Sequence, residues 1–247
     1  MIQVKNLFKS FNDQTVLSGV NLEIPTGTIT VILGRSGGGK SVLMKHIIGL
    51  LHADSGQVLV DGTDLMKLSD ADLNEFRKRF GMLFQNAALF DSFNVFDNVA
   101  FPLREHTQLS EDEIAKKVKE KLELVGLRNI NHKMPSELSG GMRKRVGLAR
   151  AIALEPKILL YDEPTTGLDP LMTDSVNQLI LETQRNLHVT SVVISHDIES
   201  TFSLADKVAM LHEGKIIEQG NPQQFRKSEN PFVKQFLTGR SEGRVLN

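Results

Sequence analysis

The chain has 247 residues, of which 40% are hydrophobic and 24% are charged, so it can bury a substantial core. The 29 basic and 30 acidic residues give a formal net charge of -1, so no overall field favours nucleic acid or an anionic membrane. The absence of cysteine excludes disulfides, thiolate metal sites and cysteine nucleophiles. We therefore expect no nucleic-acid partner, and other partners must be inferred from local motifs.

The two chain ends carry no recognisable targeting signal. The N-terminus lacks the basic region, apolar run and cleavage site of a signal peptide. No stretch approaches the roughly 20 apolar residues that span a bilayer, so we expect membrane association only through a partner. Residues 240–247 are mostly polar, which predicts a frayed tail after a domain covering 1–239.

The first elements alternate apolar and polar residues or form short apolar runs. Ile2–Lys5 and Val20–Ile24 alternate, which predicts half-buried antiparallel strands in a small β-layer. Ile29–Leu33 is mostly apolar and stops at Gly34, and apolar residues then recur at helical spacing as far as Leu51. The pattern predicts a strand, a glycine loop and a helix in that order.

The middle of the chain, from about Leu89 to Ala153, is predicted to be mainly helical. Ser110 and Glu113 have the spacing of a capping box, and the apolar residues that follow form one face ending at Gly126. That face by itself indicates only a helix covering the core.

The second half alternates apolar strands with a helix. Lys157–Tyr161 and Val189–Ile194 are rich in apolar and β-branched residues, and a predicted helix from about Leu171 to Asn186 separates them. Alternating strands and helices predict an α/β fold with a mostly parallel sheet.

The loop after the third predicted strand matches the phosphate-binding pattern G-x-x-x-x-G-K-[ST]. It comprises Gly34, Arg35, Ser36, Gly37, Gly38, Gly39, Lys40 and Ser41. Glycines let backbone N–H groups turn toward phosphate oxygens, and the following helix adds its positive N-terminus. We expect Lys40 to bind the β- and γ-phosphates of ATP, and the Ser41 hydroxyl to bind Mg²⁺.

Two carboxylates, Asp162 and Glu163, follow an apolar strand at the edge where α/β sheets bind ligands. We expect Asp162 to be a magnesium ligand, and Glu163 to accept a hydrogen bond or a proton from the attacking water. The alternative is a surface pair that caps a turn before Pro164.

His196 also follows a strand, so it is expected at the same sheet edge, within reach of a γ-phosphate. A structural histidine is the alternative. Gln85 is neutral and weakly informative by itself.

Ser139, Gly140 and Gly141 open a predicted helix far from the phosphate loop in sequence. Their exposed N–H groups would make a second anion site, which one subunit does not need for one nucleotide. An ordinary serine-capped helix start is the alternative.

Taken together, these motifs resemble the ATPases of ABC transporters. GRSGGGKS, Gln85, LSGGM, ILLYDE, Leu168–Asp169 and His196 occur in that family's order. The resemblance implies a P-loop NTPase core with an N-terminal antiparallel β-layer and an inserted helical subdomain at about 89–153. It also implies a head-to-tail homodimer, in which the phosphate loop of one subunit and Ser139–Gly141 of the other enclose each ATP.

The resemblance also implies roles for residues that the motifs alone leave open. Gln85 is implied as a magnesium ligand and catalytic residue, and Asp169 as a nucleotide contact. Phe11 falls where the family stacks an aromatic ring, most often tyrosine, on adenine; an ordinary core phenylalanine is the alternative. Val42 is implied to contact phosphate, but through its backbone N–H alone.

Within the family, the chain looks most like the ATPases of phospholipid transport systems that work with MCE-domain proteins at the Gram-negative inner membrane. Three segments carry this likeness: GRSGGGKSVLMKHIIGL, LFQNAALFDSFNVFDNVAFPLREHTQLS and MPSELSGGMRKRVGLARAIALEP. Val42 and Met142 depart from the wider family and fit this branch.

The likeness implies a peripheral protein on the cytoplasmic face of the inner membrane. Its implied partners are two permease subunits, an MCE-domain lipid-binding protein and a small STAS-type regulatory subunit. Residues 86–101 would receive a permease coupling helix, unless their aromatic residues belong to the core.

Three other functions stay open on the sequence. The first is an importer ATPase for a small polar solute. The second is a soluble ABC ATPase acting on ribosomes or DNA, which is disfavoured because such ATPases usually carry two ATPase domains or a long coiled-coil insertion, and this sequence shows neither. The third is a nucleotide-sensing module without turnover. The retained Glu163 and His196 disfavour this third alternative.

Overall fold

The computed structural model describes residues 1–238, so the predicted tail at 240–247 lies outside the described residues. The strands are β1 (Ile2–Phe11), β2 (Gln14–Ile24), β3 (Ile29–Leu33), β4 (Ser55–Val60), β5 (Thr63–Asp64), β6 (Phe80–Leu83), β7 (Ile158–Asp162), β8 (Thr190–Ser195), β9 (Lys207–His212) and β10 (Lys215–Gly220). The helices are α1 (Lys40–Ile47), α2 (Asp70–Arg77), α3 (Val95–His106), α4 (Glu111–Leu124), α5 (Gly140–Ala151), α6 (Pro170–Leu187), α7 (Ile198–Leu204), α8 (Pro222–Arg226) and α9 (Pro231–Thr238). Across residues 1–238, none of these helices combines the length and apolar content needed to cross a membrane.

A four-stranded antiparallel sheet in the order β2-β1-β4-β5 opens the chain. Ile2 of β1 pairs with Ile24 on one side and with Val60 on the other, and all three side chains are buried. The alternation predicted from sequence places these residues on the covered face. The structure confirms the predicted antiparallel layer.

A six-stranded sheet in the order β10-β9-β3-β8-β7-β6 forms the centre of the protein. Five strands are parallel, and β10 pairs antiparallel with β9 at one edge. Every residue of β3 and β8 is buried, as expected for strands covered on both faces. This arrangement confirms the predicted α/β fold with a mostly parallel sheet.

The two faces of this sheet border separate cores, because successive side chains of a strand point to opposite sides. Ile32 packs with α1 and the N-terminal sheet. Its neighbours Val31 and Leu33 pack in the core that includes α3, α4 and α5. The loop between β3 and α1 therefore lies at the end of a strand held from both sides.

Three helices, α3, α4 and α5, lie in the stretch predicted to be mainly helical. α4 begins at the predicted capping box, in which the side chains of Ser110 and Glu113 each accept from the other residue's backbone N–H. α3 begins at Val95, because the Asn94 side chain accepts from the N–H of Asp97 at 2.8 Å. The segment before it is irregular.

α5 lies close to β6 at two glycines. A Cβ on Gly81 would lie 2.2 Å from the backbone oxygen of Ala151, and one on Gly147 would lie 3.0 Å from Cδ1 of Leu83. Larger side chains would separate helix and strand. The helix that starts at Ser139 is thereby packed against the strand that leads to Gln85.

Candidate functional site

The loop between β3 and α1 is shaped by its glycines. Gly37 and Gly39 have φ of 75° and 93°, in the left-handed region that favours glycine. A Cβ on Gly34 would lie 2.4 Å from the backbone oxygen of Leu211 in β9, so the loop can pass β9 only with glycine at its first position. The N–H of Gly38 donates to the carbonyl of Arg35 at 3.1 Å and fixes the turn.

Lys40 is the first residue of α1 and its side chain is almost fully buried. Its ammonium donates to the carbonyls of Gly34 and Arg35, each at 2.9 Å, and lies 3.6 Å from Oε1 of Glu163. Burial lowers the pKa of Lys40, while the charges of Glu163 and Asp162 oppose that effect. The sequence-predicted phosphate ligand is therefore held inside the loop by three oxygen atoms.

Asp162 ends β7, and its Oδ1 lies 3.3 Å from the Ser41 hydroxyl, which donates to it. Burial raises the pKa of Asp162, and the hydrogen bond from Ser41 offsets only part of this rise. The two residues predicted as magnesium ligands are thus brought together from positions 121 residues apart.

Glu163 has φ of 46°, which is uncommon for a residue with a side chain. Its Oε2 accepts from Thr166 at 3.0 Å and lies 3.4 Å from Nδ1 of His196. Burial alone would raise the pKa of Glu163, but Thr166, Lys40 and His196 together hold it below its usual value. A carboxylate kept ionised in this way can accept a proton or a hydrogen bond.

His196 follows β8, the strand next to β7, and its side chain is 49% exposed. His196 is therefore not enclosed in the core. The imidazole is open to solvent on one side and meets Glu163 on the other.

Gln85 lies two residues beyond β6, at the same edge of the sheet, and it is exposed. Its carbonyl accepts from the ammonium of Lys144, and Arg150 donates to the carbonyls of Ala87 and Ala88 at 2.9 and 2.8 Å. Both basic residues belong to α5. The backbone around Gln85 is thus fixed by the helix that Ser139 begins, whereas the described contacts do not link the Gln85 side chain to Asp162.

Phe11 and Val42 differ in which part of the residue is available to a ligand. Phe11 ends β1 and is 42% exposed, which argues against the core alternative, and Lys9 Nζ lies 5.4 Å from its ring centroid. Val42 is half-buried in α1, and its carbonyl bonds to Nδ1 of His46 at 2.7 Å. Its N–H is therefore the polar group that it can offer to a ligand.

Ser139, Gly140 and Gly141 form the start of α5. The Ser139 hydroxyl accepts from the N–H of Met142 at 3.2 Å, which is the serine-capped start considered above. Ser139 is exposed, and no hydrogen bond within residues 1–238 joins these three residues to the phosphate loop. Capping satisfies one N–H of the helix start and leaves others for a ligand.

Asp169 caps α6 by accepting from the N–H of Met172 at 2.9 Å and is exposed. Its neighbour Leu168 lies beside Gly140, since a Cβ built on that glycine would be 3.8 Å from the leucine side chain. The structure thus places Asp169 near Ser139–Gly141. Ser139 and Asp169 are exposed, whereas Gly140 is half-buried and Gly141 is buried. We call this surface, formed by Ser139–Gly141 and Leu168–Asp169, the signature surface.

Two residues that contact the site had not been predicted from sequence. Thr166 bonds to Glu163, and a lone threonine carries no signal for that role. Lys144 is buried, and its spacing from Gly147, Leu148 and Ala151 places it on the inward face of α5. A lysine at an inward position of a helix indicates that its charge has a buried polar partner, and this signal could have identified Lys144.

Comparison with known proteins agrees with this geometry. Residues 17–166 match the ABC transporter family. The chain is 47% identical over 245 residues to the intermembrane phospholipid transport system ATP-binding protein MlaF of Haemophilus influenzae, covering 99% of this chain and 93% of that protein. It is 46% identical to a probable ribonucleotide transport ATP-binding protein of Mycobacterium leprae, covering 99% of this chain and 70% of that protein.

Solved structures give the same result. The dimeric post-hydrolysis state of the ATP-binding cassette MJ0796, bound to ADP and Pi, matches with a TM-score of 0.81 and 30% identity, over 90% of this chain and 99% of that one. CbiO1 of Clostridium perfringens, part of an ABC transporter complex, matches with a TM-score of 0.85 and 34% identity, over 96% of this chain and 94% of that one. This chain therefore belongs to the ABC transporter family and is one of its ATP-binding, ATP-hydrolysing subunits.

Proposed function

We propose that this chain powers phospholipid movement between membranes by hydrolysing ATP at the phosphate loop, Asp162 and Glu163. The observation that carries the chemistry is the position of Glu163, held ionised between Lys40, Thr166 and His196. A carboxylate of this kind can orient the attacking water and accept its proton. Glu163 is therefore assigned as the catalytic base.

The residues present fit a magnesium ion. Ser41 and Asp162 supply hard oxygen donors that lie close together, and the described residues hold no group of three or more histidine or acidic side chains that could bind a metal alone. Mg²⁺ is commonly bound by one or two protein oxygens plus the phosphates of the nucleotide. When bound, the ion neutralises charge that develops on the phosphates, and Gln85 is assigned as a further ligand and water contact.

Binding depends on groups that this chain already orients. The N–H groups of Gly37, Gly39 and Val42 and the ammonium of Lys40 are assigned to the phosphates, while Gly38 holds the turn through its N–H to Arg35. Phe11 is assigned to the adenine ring. Arg35 and Ser36 complete the loop. His196 lies beside Glu163 and is assigned to the γ-phosphate and the water.

Two copies of the chain are needed for a complete site. Ser139 and Asp169 of the signature surface are exposed, and this surface makes no hydrogen bond to the phosphate loop of its own chain within residues 1–238. A second copy can place its Ser139–Gly141 N–H groups on the phosphates, with Asp169 at the subunit boundary. The solved dimer of the related cassette with ADP and Pi supports this arrangement.

An apolar groove offers a surface for the membrane subunits. It has a volume of about 340 Å³ and is lined by residues including Phe84, Phe90, Phe101, Pro102, Arg150 and Leu154. Within the predicted segment 86–101, Phe90 is 42% exposed, whereas Phe93, Phe96 and Phe101 are half-buried. Phe84, just before the segment, is 40% exposed. An amphipathic helix of each of two permease subunits is the proposed occupant.

Phospholipid as the cargo is supported by the named relative of Haemophilus influenzae, which matches this chain over nearly the full length of both proteins. The MCE-domain protein, the small STAS-type subunit and the inner-membrane location are proposed on the same basis. A second candidate cargo is a soluble, polar solute, because another relative is named for ribonucleotide transport. This candidate covers the polar-solute importer considered from the sequence.

The test is purification of the complex that contains this chain from detergent-solubilised membranes, followed by native mass spectrometry and lipid identification. Recovery of two ATPase copies, permease subunits, an MCE-domain protein and phospholipid would support the proposal. ATP-dependent phospholipid exchange between vesicles by that complex, absent with Glu163→Gln, would extend it. Recovery with a solute-binding protein and no lipid would overturn the cargo and leave the ATPase assignment intact.

A further inference from the structure

The last described helix, α9, contacts the phosphate loop through one aromatic side chain. The guanidinium carbon of Arg35 lies 5.4 Å from the ring centroid of Phe232, within the range of a cation–π contact. The same ring stacks on His212, at 3.5 Å between centroids and 21° between planes. Phe232 thus connects the end of β9 to the second residue of the loop.

Arg35 controls the position of Lys40 and Gly38 through its backbone. Its carbonyl accepts from the ammonium of Lys40 at 2.9 Å and from the N–H of Gly38 at 3.1 Å. Rotation of Arg35 would therefore move the carbonyl that holds both the phosphate-binding ammonium and the turn of the loop at Gly38. Its side chain is exposed, so Phe232 is a contact that can restrict this rotation.

Phe232 is itself firmly placed. The side chain of Asn230 accepts from the N–H of Phe232 at 3.0 Å, and the next residue, Val233, is fully buried in the main core. On the strand side, Leu211 contacts the backbone of Gly34 and adjoins His212. The start of the phosphate loop is consequently packed against residues of both β9 and α9.

We propose that Phe232 is a positioning residue for ATP binding. Its ring, supported by His212, holds Arg35 so that the loop keeps Lys40 and Gly38 in the conformation that receives phosphate. This role requires an aromatic face and acts on the affinity for ATP. The chemical step depends on Glu163, which Phe232 does not contact, so turnover at saturating ATP is independent of it.

The experiment measures the dissociation constant for ATP on the full chain and the KM and kcat of the assembled ATPase. Phe232→Leu removes the ring face, so we expect the dissociation constant and KM to rise about two- to fivefold, the size of an exposed cation–π contact. kcat stays unchanged. Phe232→Tyr keeps the face and restores the wild-type values. Phe236→Leu, one turn further along α9, is the matched control and leaves KM unchanged.

A double-mutant cycle with Arg35→Ala tests whether Phe232 affects ATP affinity through Arg35. If Phe232 acts through Arg35, Phe232→Leu has no further effect on ATP affinity in the Arg35→Ala background. Unchanged affinity in Phe232→Leu, an equal loss in Phe236→Leu, or full additivity with Arg35→Ala would each overturn the proposal.

Discussion

Oε1 of Glu163 lies 3.6 Å from Nζ of Lys40, so the proposed catalytic carboxylate and the phosphate-binding ammonium form one ion pair. Both side chains are largely buried, which makes each charge dependent on the other for compensation. Lys40 has two further acceptors in the loop carbonyls, whereas Glu163 has Thr166 and His196. Removal of the carboxylate charge therefore leaves the ammonium bound within the loop.

That relationship predicts the behaviour of Glu163→Gln. The variant should bind ATP, because Lys40 keeps the carbonyls of Gly34 and Arg35, but it should hydrolyse ATP about 10²- to 10⁴-fold more slowly, because the base is lost. Single-turnover hydrolysis and nucleotide binding on the same sample separate the two effects. Thr166→Val is the matched comparison and should lose less activity, since Glu163 keeps its other partners. Turnover near the wild-type rate in Glu163→Gln would remove Glu163 from its assigned role.

The contact between Ser41 and Asp162 predicts a change in magnesium dependence. Ser41→Ala removes one proposed oxygen ligand, so the Mg²⁺ concentration for half-maximal hydrolysis should rise by about tenfold or more. Excess Mg²⁺ should restore part of the activity, and chelation with EDTA should abolish hydrolysis in both proteins. An unchanged Mg²⁺ requirement in the variant would show that the Ser41 hydroxyl is not a ligand.

The close contact of β6 with α5 predicts a loss of stability in Gly81→Ala. The new methyl group would meet the backbone oxygen of Ala151 at 2.2 Å, and neither backbone can move freely inside the sheet and helix. We expect a loss of about 1–3 kcal/mol, which lowers Tm by about 2–10 °C in a chain of this size. The control is Gly220→Ala, whose nearest atom is the end of the flexible Gln224 side chain, at 3.0 Å. Equal Tm values for the two variants would contradict the prediction.

The sequence predicts the elements that obey local rules, and these were confirmed. β3 and β8 are apolar runs buried on both faces, and the capping box at Ser110 begins α4. The fold class followed from the alternation of such strands and helices. Local pattern is sufficient in these cases because period and capping depend on neighbours in the chain.

The contacts across the site required the structure. Thr166 bonds to Glu163 in a turn where Glu163 has a left-handed backbone conformation, and Phe232 of α9 contacts Arg35 of the phosphate loop. The first contact depends on a local backbone conformation and the second on how segments distant in sequence pack, and periodicity encodes neither. The sequence predicts part of the role of Lys144. Its spacing indicates an inward position on α5, but the sequence does not identify its partner, the Gln85 carbonyl.

An ion-pair cluster that joins α4 to the segment before β7 predicts a pH-dependent stability difference. The Glu155 carboxylate accepts from Lys117 at 2.9 Å and from Lys121 at 3.1 Å. These hydrogen bonds hold the pKa of Glu155 below its usual value of 4.5. Burial by itself would lower the pKa of Lys121, but hydrogen bonds to Glu120 and Glu155 outweigh it and raise that pKa.

The sign follows from the lowered pKa of Glu155. A depressed folded pKa means that the carboxylate stabilises the fold above the unfolded value, near 4.5, and that this contribution disappears as pH falls through the folded value. Glu155→Gln should therefore unfold at lower urea than the wild type at pH 7, and the difference between the two proteins should shrink toward pH 3.5. Glu123→Gln, at an exposed position on α4, is the control and should follow the wild type throughout. A gap between Glu155→Gln and wild type that is constant from pH 7 to 3.5 would show that the loss comes from packing and not from the charge of Glu155.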